Sequence, residues 1–285
     1  MKKGLILEGG AMRGMFTAGV IDVMMENNIQ FDGAIGVSAG AVFGCNYKSK
    51  QIGRVIRYNT RYCKDKRYCG ISSLIKSGNL YSTDFCYGEV PLKYDIFDFE
   101  AYRNNPMEFY AVCTDIETGK AIYKKYEGTE DSGFDWLRAS ASMPLVSQIV
   151  KIDDYKLLDG GISDSIPVRF FENIGYDKNI VVLTQPKDYQ KKKNNLIPIM
   201  KLKYKAYPKL IEAMENRHII YNKTLEYITE KEKVGELFVI RPESKLPVGK
   251  MEKNPEKLKE TYELGRNAAK KQLEEIIQYL SEVKI

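Results

Sequence analysis

The chain has 285 residues, 44% hydrophobic and 29% charged, with a formal net charge of +6. This is ordinary globular usage with length for a sizeable core, so disorder is not the default, and no run approaches the roughly 18 apolar residues of a spanning helix. Five dispersed cysteines (Cys45, Cys63, Cys69, Cys86, Cys113), no CxxC pair and one histidine leave no ligand set for a metal and predict free thiols.

The start, "MKKGLILEGG", opens like a secretory leader, but Glu8 breaks its apolar run too early. The expectation is a cytoplasmic protein, with peripheral membrane contact open. Gly4 to Glu8 predicts a buried strand. The glycine-rich turn Gly9-Gly10-Ala11-Met12-Arg13-Gly14 follows, then a helix over Gly14 to Asn27 with Phe16, Val20, Val23 and Met24 at helical spacing. Phe31 to Val37 predicts a second strand, and Ala39 to Tyr47 a helix of small and apolar residues. Strand and helix alternating at this spacing imply a parallel sheet with right-handed crossovers. Lys48 to Glu100, rich in Tyr, Lys and Arg, reads as helix mixed with long loop.

Further on, Glu108 to Asp115 and Ala121 to Tyr126 predict strands about the turn "ETGK". Phe134 to Ser142 predicts a short helix ended by Met143-Pro144. Ile149 to Ile152 and Tyr155 to Leu158 predict a strand pair around Asp153-Asp154, and Asn179 to Thr184 a buried strand. Lys187 to Lys209 carries eight lysines against one aspartate. That net +7 leaves the rest nearly neutral, which argues against a nucleic-acid face. This stretch is the one candidate boundary, dividing 1–186 from 187–285. Leu210 to Thr229 and Pro255 to Val283 predict amphipathic helices, with a strand at Glu236 to Ile240 between them.

The glycine turns carry the chemistry. A P-loop needs Lys and Ser or Thr after its last glycine, whereas Met15 and Phe16 follow Gly14; the first turn does not fit G-x-G-x-x-G either. Gly36-Val37-Ser38-Ala39-Gly40 does fit G-x-S-x-G, with the strand and helix context that exposes a serine at a sharp turn. The first turn then suits an oxyanion: successive N–H groups at a helix N-terminus form an anion nest, with the Arg13 charge beside it. A serine nucleophile also needs a base. His218 lies mid-helix in "EAMENRHIIYN", with no turn to aim it. Asp159 in "KLLDGGISDSIP" ends an apolar strand on a tight turn, and desolvation there would raise its basicity. Asp153, Asp154 and Asp164 are rival carboxylates.

Together these segments resemble the patatin-like phospholipase family. The resemblance lies in "LEGGAMRG" as its oxyanion loop, "GVSAG" as its nucleophile elbow, "ASASMPLVS" as its serine-rich block and "DGGISDSIP" as its D-G-G motif, in order across Gly4 to Pro167. It implies a three-layer α/β/α fold with a mostly parallel central sheet, a hydrolase domain over 1–186, and a basic segment and mainly helical region over 187–285 packed on it. It implies Ser38 as nucleophile and Asp159 as base, a dyad needing no histidine. It also implies backbone N–H groups of Gly9, Gly10 and Ala11 as the oxyanion hole, Arg13 positioning that loop or the substrate head, and Gly36 and Gly40 shaping the elbow. The activity implied is hydrolysis of a lipid or phospholipid acyl ester, without cofactor or metal. Ala11 stands where the family usually has a third glycine; a negative φ there leaves the hole intact, and a positive φ strains it. Two alternatives stand beside this: a soluble esterase using His218, and a non-catalytic lipid-binding protein. The lysines of Lys187–Lys209, with Leu196, Ile197, Ile199 and Met200, are expected to touch an anionic membrane.

Overall fold

The computed structural model describes residues 1–129 and 134–282. Strand and helix alternate from the start: β1 (Lys2–Leu7), α1 (Gly14–Glu26), β2 (Gly33–Val37) and α2 (Ala39–Lys48). The stretch that reads as helix mixed with loop holds α3 (Arg54–Tyr62), α4 (Ile71–Ser77), a π-helical turn (Asp84–Tyr94) and α5 (Phe99–Asn104). Then come β3 (Glu108–Asp115), β4 (Ala121–Lys125), α6 (Asp135–Ser140), β5 (Val150–Ile152), β6 (Tyr155–Asp159), α7 (Val168–Asn173) and β7 (Tyr176–Val182). The remainder is α8 (Ile197–Lys203), α9 (Pro208–Lys233), β8 (Leu237–Ile240), α10 (Pro255–Lys271) and α11 (Leu273–Ser281).

All the strands join one sheet in the order β5-β6-β3-β2-β1-β7-β8, with β4 on β3. The run β3-β2-β1-β7-β8 is parallel, and β4, β5 and β6 are antiparallel additions. The strand period of two sorts β1 between two cores. Leu5 and Leu7 pack with Phe16 of α1, Phe43 of α2 and Leu258 of α10. Ile6 packs on the other face with Phe171 of α7 and Tyr221 of α9. Burial on both faces explains why the strands read as near-continuous apolar runs, and it makes the molecule the three-layer α/β/α structure expected.

The C-terminal elements are integral to these layers. β8 extends the sheet beside β7. α10 crosses α1 so closely that Gly19 abuts the Tyr262 carbonyl and Gly265 the Phe16 carbonyl, where no β-carbon fits. At the same joint the buried Asp22 accepts hydrogen bonds from the Gly53 N–H (2.9 Å) and the Tyr262 hydroxyl (2.7 Å).

Two expectations are corrected. The single helix expected over Pro255 to Val283 is two, α10 and α11, broken at Gln272; Val283 itself lies outside the described residues. Ile197 and Met200 do not face a bilayer. They are buried against Leu158, Ile162, Leu210 and Met214 in a third apolar cluster, because α8 lays one face on α9 and this cluster and turns Leu196, Ile199 and Leu202 outward.

Candidate active site

The sheet brings Ser38 and Asp159 together. Over Tyr110 to Val112, β3 pairs with β2 on one edge and β4 on the other. At Cys113 and Thr114 it pairs with β4 and β6, so β6 has taken over the edge that β2 leaves. Val37 is the partner of Val112, and Asp159 is the partner of Cys113. Two strands running in opposite senses therefore end tip to tip against consecutive residues of a third, with Ser38 and Asp159 at the tips.

The turn at Ser38 is sharp, with φ 55° and ψ −121°. Such backbone costs about 1–3 kcal/mol and needs its surroundings to hold it. Ser140 supplies part of that hold: its hydroxyl accepts the Ser38 N–H (2.9 Å) and donates to the Val112 carbonyl (2.6 Å). The elbow also needs bare backbone. Gly36 closes on the Gly40 carbonyl and Gly40 on the Leu7 carbonyl. A methyl on Gly9 would lie 2.9 Å from the Val37 oxygen and 3.1 Å from Ser38 Cβ, so the first glycine turn is laid directly on the second. Among the described residues no acceptor takes the N–H of Gly9, Gly10 or Ala11. Ala11 has φ 49°, the strained branch of the expectation, where a β-carbon costs about 1–2 kcal/mol.

Asp159 is buried, and burial raises its carboxyl pKa above the ordinary value. The Arg217 charge, the neighbouring Ser38 hydroxyl and the Gly161 N–H (2.7 Å) oppose that rise. The rival carboxylates are elsewhere. Asp153 and Asp154 form the exposed β5–β6 turn, and Asp164 accepts from the Tyr123 hydroxyl and the Ile166 N–H. His218 does reach the cleft wall, its Nδ1 buried without a hydrogen-bond partner among the described residues. The same holds for Arg13 Nε and Arg217 Nε, so Arg13 faces the cleft and not bulk water.

Two cavities meet at Ser38. One, of about 100 Å³, is lined by Val42, Phe43, Tyr58, Val90, Pro91 and Phe134 and is mainly apolar. The other, of about 580 Å³, holds Asp159 and reaches into the C-terminal region. Among the described residues no cluster of His, Cys, Asp and Glu is suited to a metal ion, and no helix is long and apolar enough to cross a membrane.

A family profile described as patatin-like phospholipase matches residues 5–171, more than half of the chain. The chain belongs to the patatin-like phospholipase family. A second profile, a domain of unknown function (DUF6363), matches residues 207–281. Uncharacterized protein YjjU of Escherichia coli (strain K12) is 30% identical over 196 residues, 64% of this chain and 52% of that protein. Lysophospholipase nte1 of Aspergillus niger is 28% identical over 187 residues, 61% of this chain and 11% of that protein. The chain thus spans little more than half the length of the one and a small part of the other. The crystal structure of VipD from Legionella pneumophila aligns at TM-score 0.46 and 12% identity, covering 96% of this chain and 67% of that one.

The patatin-like site has further members that sequence reasoning misses. Glu8, buried at the end of β1, accepts from the Thr184 N–H (2.6 Å), the Thr184 hydroxyl (3.1 Å) and the Tyr221 hydroxyl (2.6 Å). It ties the glycine turn to β7 and α9. In the sequence the only trace is a charge interrupting an apolar strand.

Proposed function

We propose that this chain is a lipid acyl hydrolase that cleaves a carboxylic ester through an acyl-enzyme on Ser38, with Asp159 as the base. The observation that supports it most is that Ser38 and the buried Asp159 sit at strand tips that meet on consecutive residues of β3 and line the same cleft. Ser38 Oγ adds to the ester carbonyl carbon as its proton passes to Asp159. The oxyanion takes the free N–H groups of Gly9, Gly10 and Ala11, each worth about 3 kcal/mol in such a hole. The alcohol leaves with the proton from Asp159. Water, deprotonated by the same carboxylate, then releases the fatty acid. The apolar cavity takes the acyl chain and the larger cleft takes the rest of the lipid. Lys192, Lys193, Leu196, Ile199 and Leu202 form a basic and apolar lip for an anionic membrane.

Incubating the protein with a mixed lipid extract and identifying the products tests this. Wild type should release free fatty acid and the matching alcohol, and Ser38→Ala and Asp159→Asn should release neither. Equal release by Ser38→Ala would overturn it. A second reading, with His218 as the base, is favoured by its unpartnered Nδ1 in the cleft. His218→Ala separates the two: activity persists if Asp159 is the base and is lost if His218 is.

A further inference from the structure

The larger cleft holds a group of cations that take no part in the bond-making and bond-breaking steps of acyl transfer. Five cationic side chains line it: Arg13, Lys191, Lys192, Arg217 and Lys250. The carboxylates there are Glu8 and Asp159, and both are engaged. Glu8 accepts from Thr184 and Tyr221, and Asp159 accepts from the Gly161 N–H beside Ser38. Among the described residues none of the five cations forms an ion pair. Elsewhere several partly buried cations are paired, as Arg266 with Glu26 and Arg241 with Glu232.

The cations also act on one another, and single nitrogens among them are closed off from water. Among the described residues Arg13 Nε, Arg217 Nε and His218 Nδ1 are buried with no hydrogen-bond partner, a cost a fold does not carry without return. Lys191 lies over the Tyr221 ring at 4.0 Å. Burial, then the charges of Arg217, Arg13 and Lys250, pull its pKa down to about 7. Lys250, at the rim, is lowered too, by partial burial and by the charges of Arg217 and Arg13. An anion among these groups would satisfy the open donors and remove the repulsion together.

We propose that Arg13, Lys191, Arg217 and Lys250 form a subsite for a phosphate-class anion, built mainly by the C-terminal region, that selects lipids with a net negative headgroup. The lipid part of this rests on the acyl-hydrolase function; the anion part does not. The two guanidinium groups suit phosphate oxygens and the lysines add point charge. Among the described residues lining the cleft the only carboxylates are Glu8, held by Thr184 and Tyr221, and Asp159, the base, so a choline or ethanolamine ammonium finds no carboxylate of its own. Arg217 and Lys250 lie within the stretch matched to a domain of unknown function, which thereby gains a role as the headgroup wall.

The test compares lysophosphatidate with lysophosphatidylcholine of the same acyl chain, both below their micelle concentrations, for wild type, Lys250→Gln and the double variant Lys191→Gln/Lys250→Gln. Wild type should prefer lysophosphatidate by about tenfold or more in kcat/KM, the value of one charge-assisted bond. That ratio should fall in Lys250→Gln, at the exposed rim, and approach one in the double variant. Inorganic phosphate should raise the melting temperature of wild type and not of the double variant. Ser38→Ala protein, read by binding alone, should show the same headgroup order. If wild type hydrolyses neither lipid while Ser38→Ala still discriminates, the hydrolase function fails and the subsite stands. Stabilisation by phosphate with no headgroup preference supports the anion site and assigns it to free phosphate. No headgroup preference together with no phosphate effect overturns the subsite.

Discussion

Ser38 and Ala11 both hold backbone that L-residues avoid, at φ 55° and φ 49°, and both line the two cavities. At Ser38 the strain aims the hydroxyl, and Ser140 fixes the N–H behind it. At Ala11 it follows from a β-carbon where glycine would be at ease. Ala11→Gly should therefore raise the unfolding free energy in urea by about 1 kcal/mol; an unchanged or lower value contradicts the strain. Asp159 gives a second test. Burial holds its pKa above 3.8 and the Arg217 charge is the largest influence pulling it down. A base acts when ionised, so the acid limb of kcat/KM on a water-soluble ester should lie above pH 3.8. In Arg217→Gln the limb should move to higher pH; a shift the other way, or none, contradicts the coupling. Both residues of the pair are legible in the sequence because each sits where an apolar strand meets a glycine turn. Glu8 is not, because its partners Thr184 and Tyr221 are 176 and 213 residues away and one-dimensional patterning carries no such distance.

Among elements, the exchange of β2 for β6 along one edge of β3 decides the site. No periodicity announces it: each strand reads correctly alone, and only the register shows that their tips meet. α8 is missed for a different reason, since seven residues within a lysine-rich stretch show too little period to separate a buried face from an exposed one. The break at Gln272 is hidden because amphipathic spacing runs on across it. The α1–α10 joint carries its own pH dependence. Asp22 has its pKa raised to about 6, first by burial, against 3.8 unperturbed. The folded state therefore binds the proton more tightly than the unfolded state, and the stability this gives is lost as pH rises from about 4 through 6. Asp22→Asn, which keeps an acceptor for Gly53 and Tyr262, should exceed wild type by up to about 3 kcal/mol at pH 8 and match it near pH 4. Parallel unfolding curves at both pH values would contradict this.

At the scale of the whole molecule, the C-terminal region closes the fold and furnishes half of the cleft. Its elements extend the sheet, lock α1 and put Arg217, His218 and Tyr221 beside the glycine turns. The side chains of the basic segment split in direction. Lys191 turns inward over Tyr221, while Leu202 is 78% and Ile199 55% exposed. Ile199→Asp/Leu202→Asp should lower flotation with anionic vesicles by about tenfold or more, given the apolar area lost and the added charge, and should leave hydrolysis of a soluble ester intact. Undiminished flotation would place the membrane contact elsewhere.

The most direct measurement is covalent trapping of the nucleophile with a fluorophosphonate, read by intact mass and peptide mapping. The expected result is one adduct per chain, on Ser38, absent in Ser38→Ala and slower by at least about a hundredfold in Asp159→Asn, as fits loss of a general base. An adduct on another serine, or labelling of Asp159→Asn at the wild-type rate, would contradict the pairing of Ser38 with Asp159.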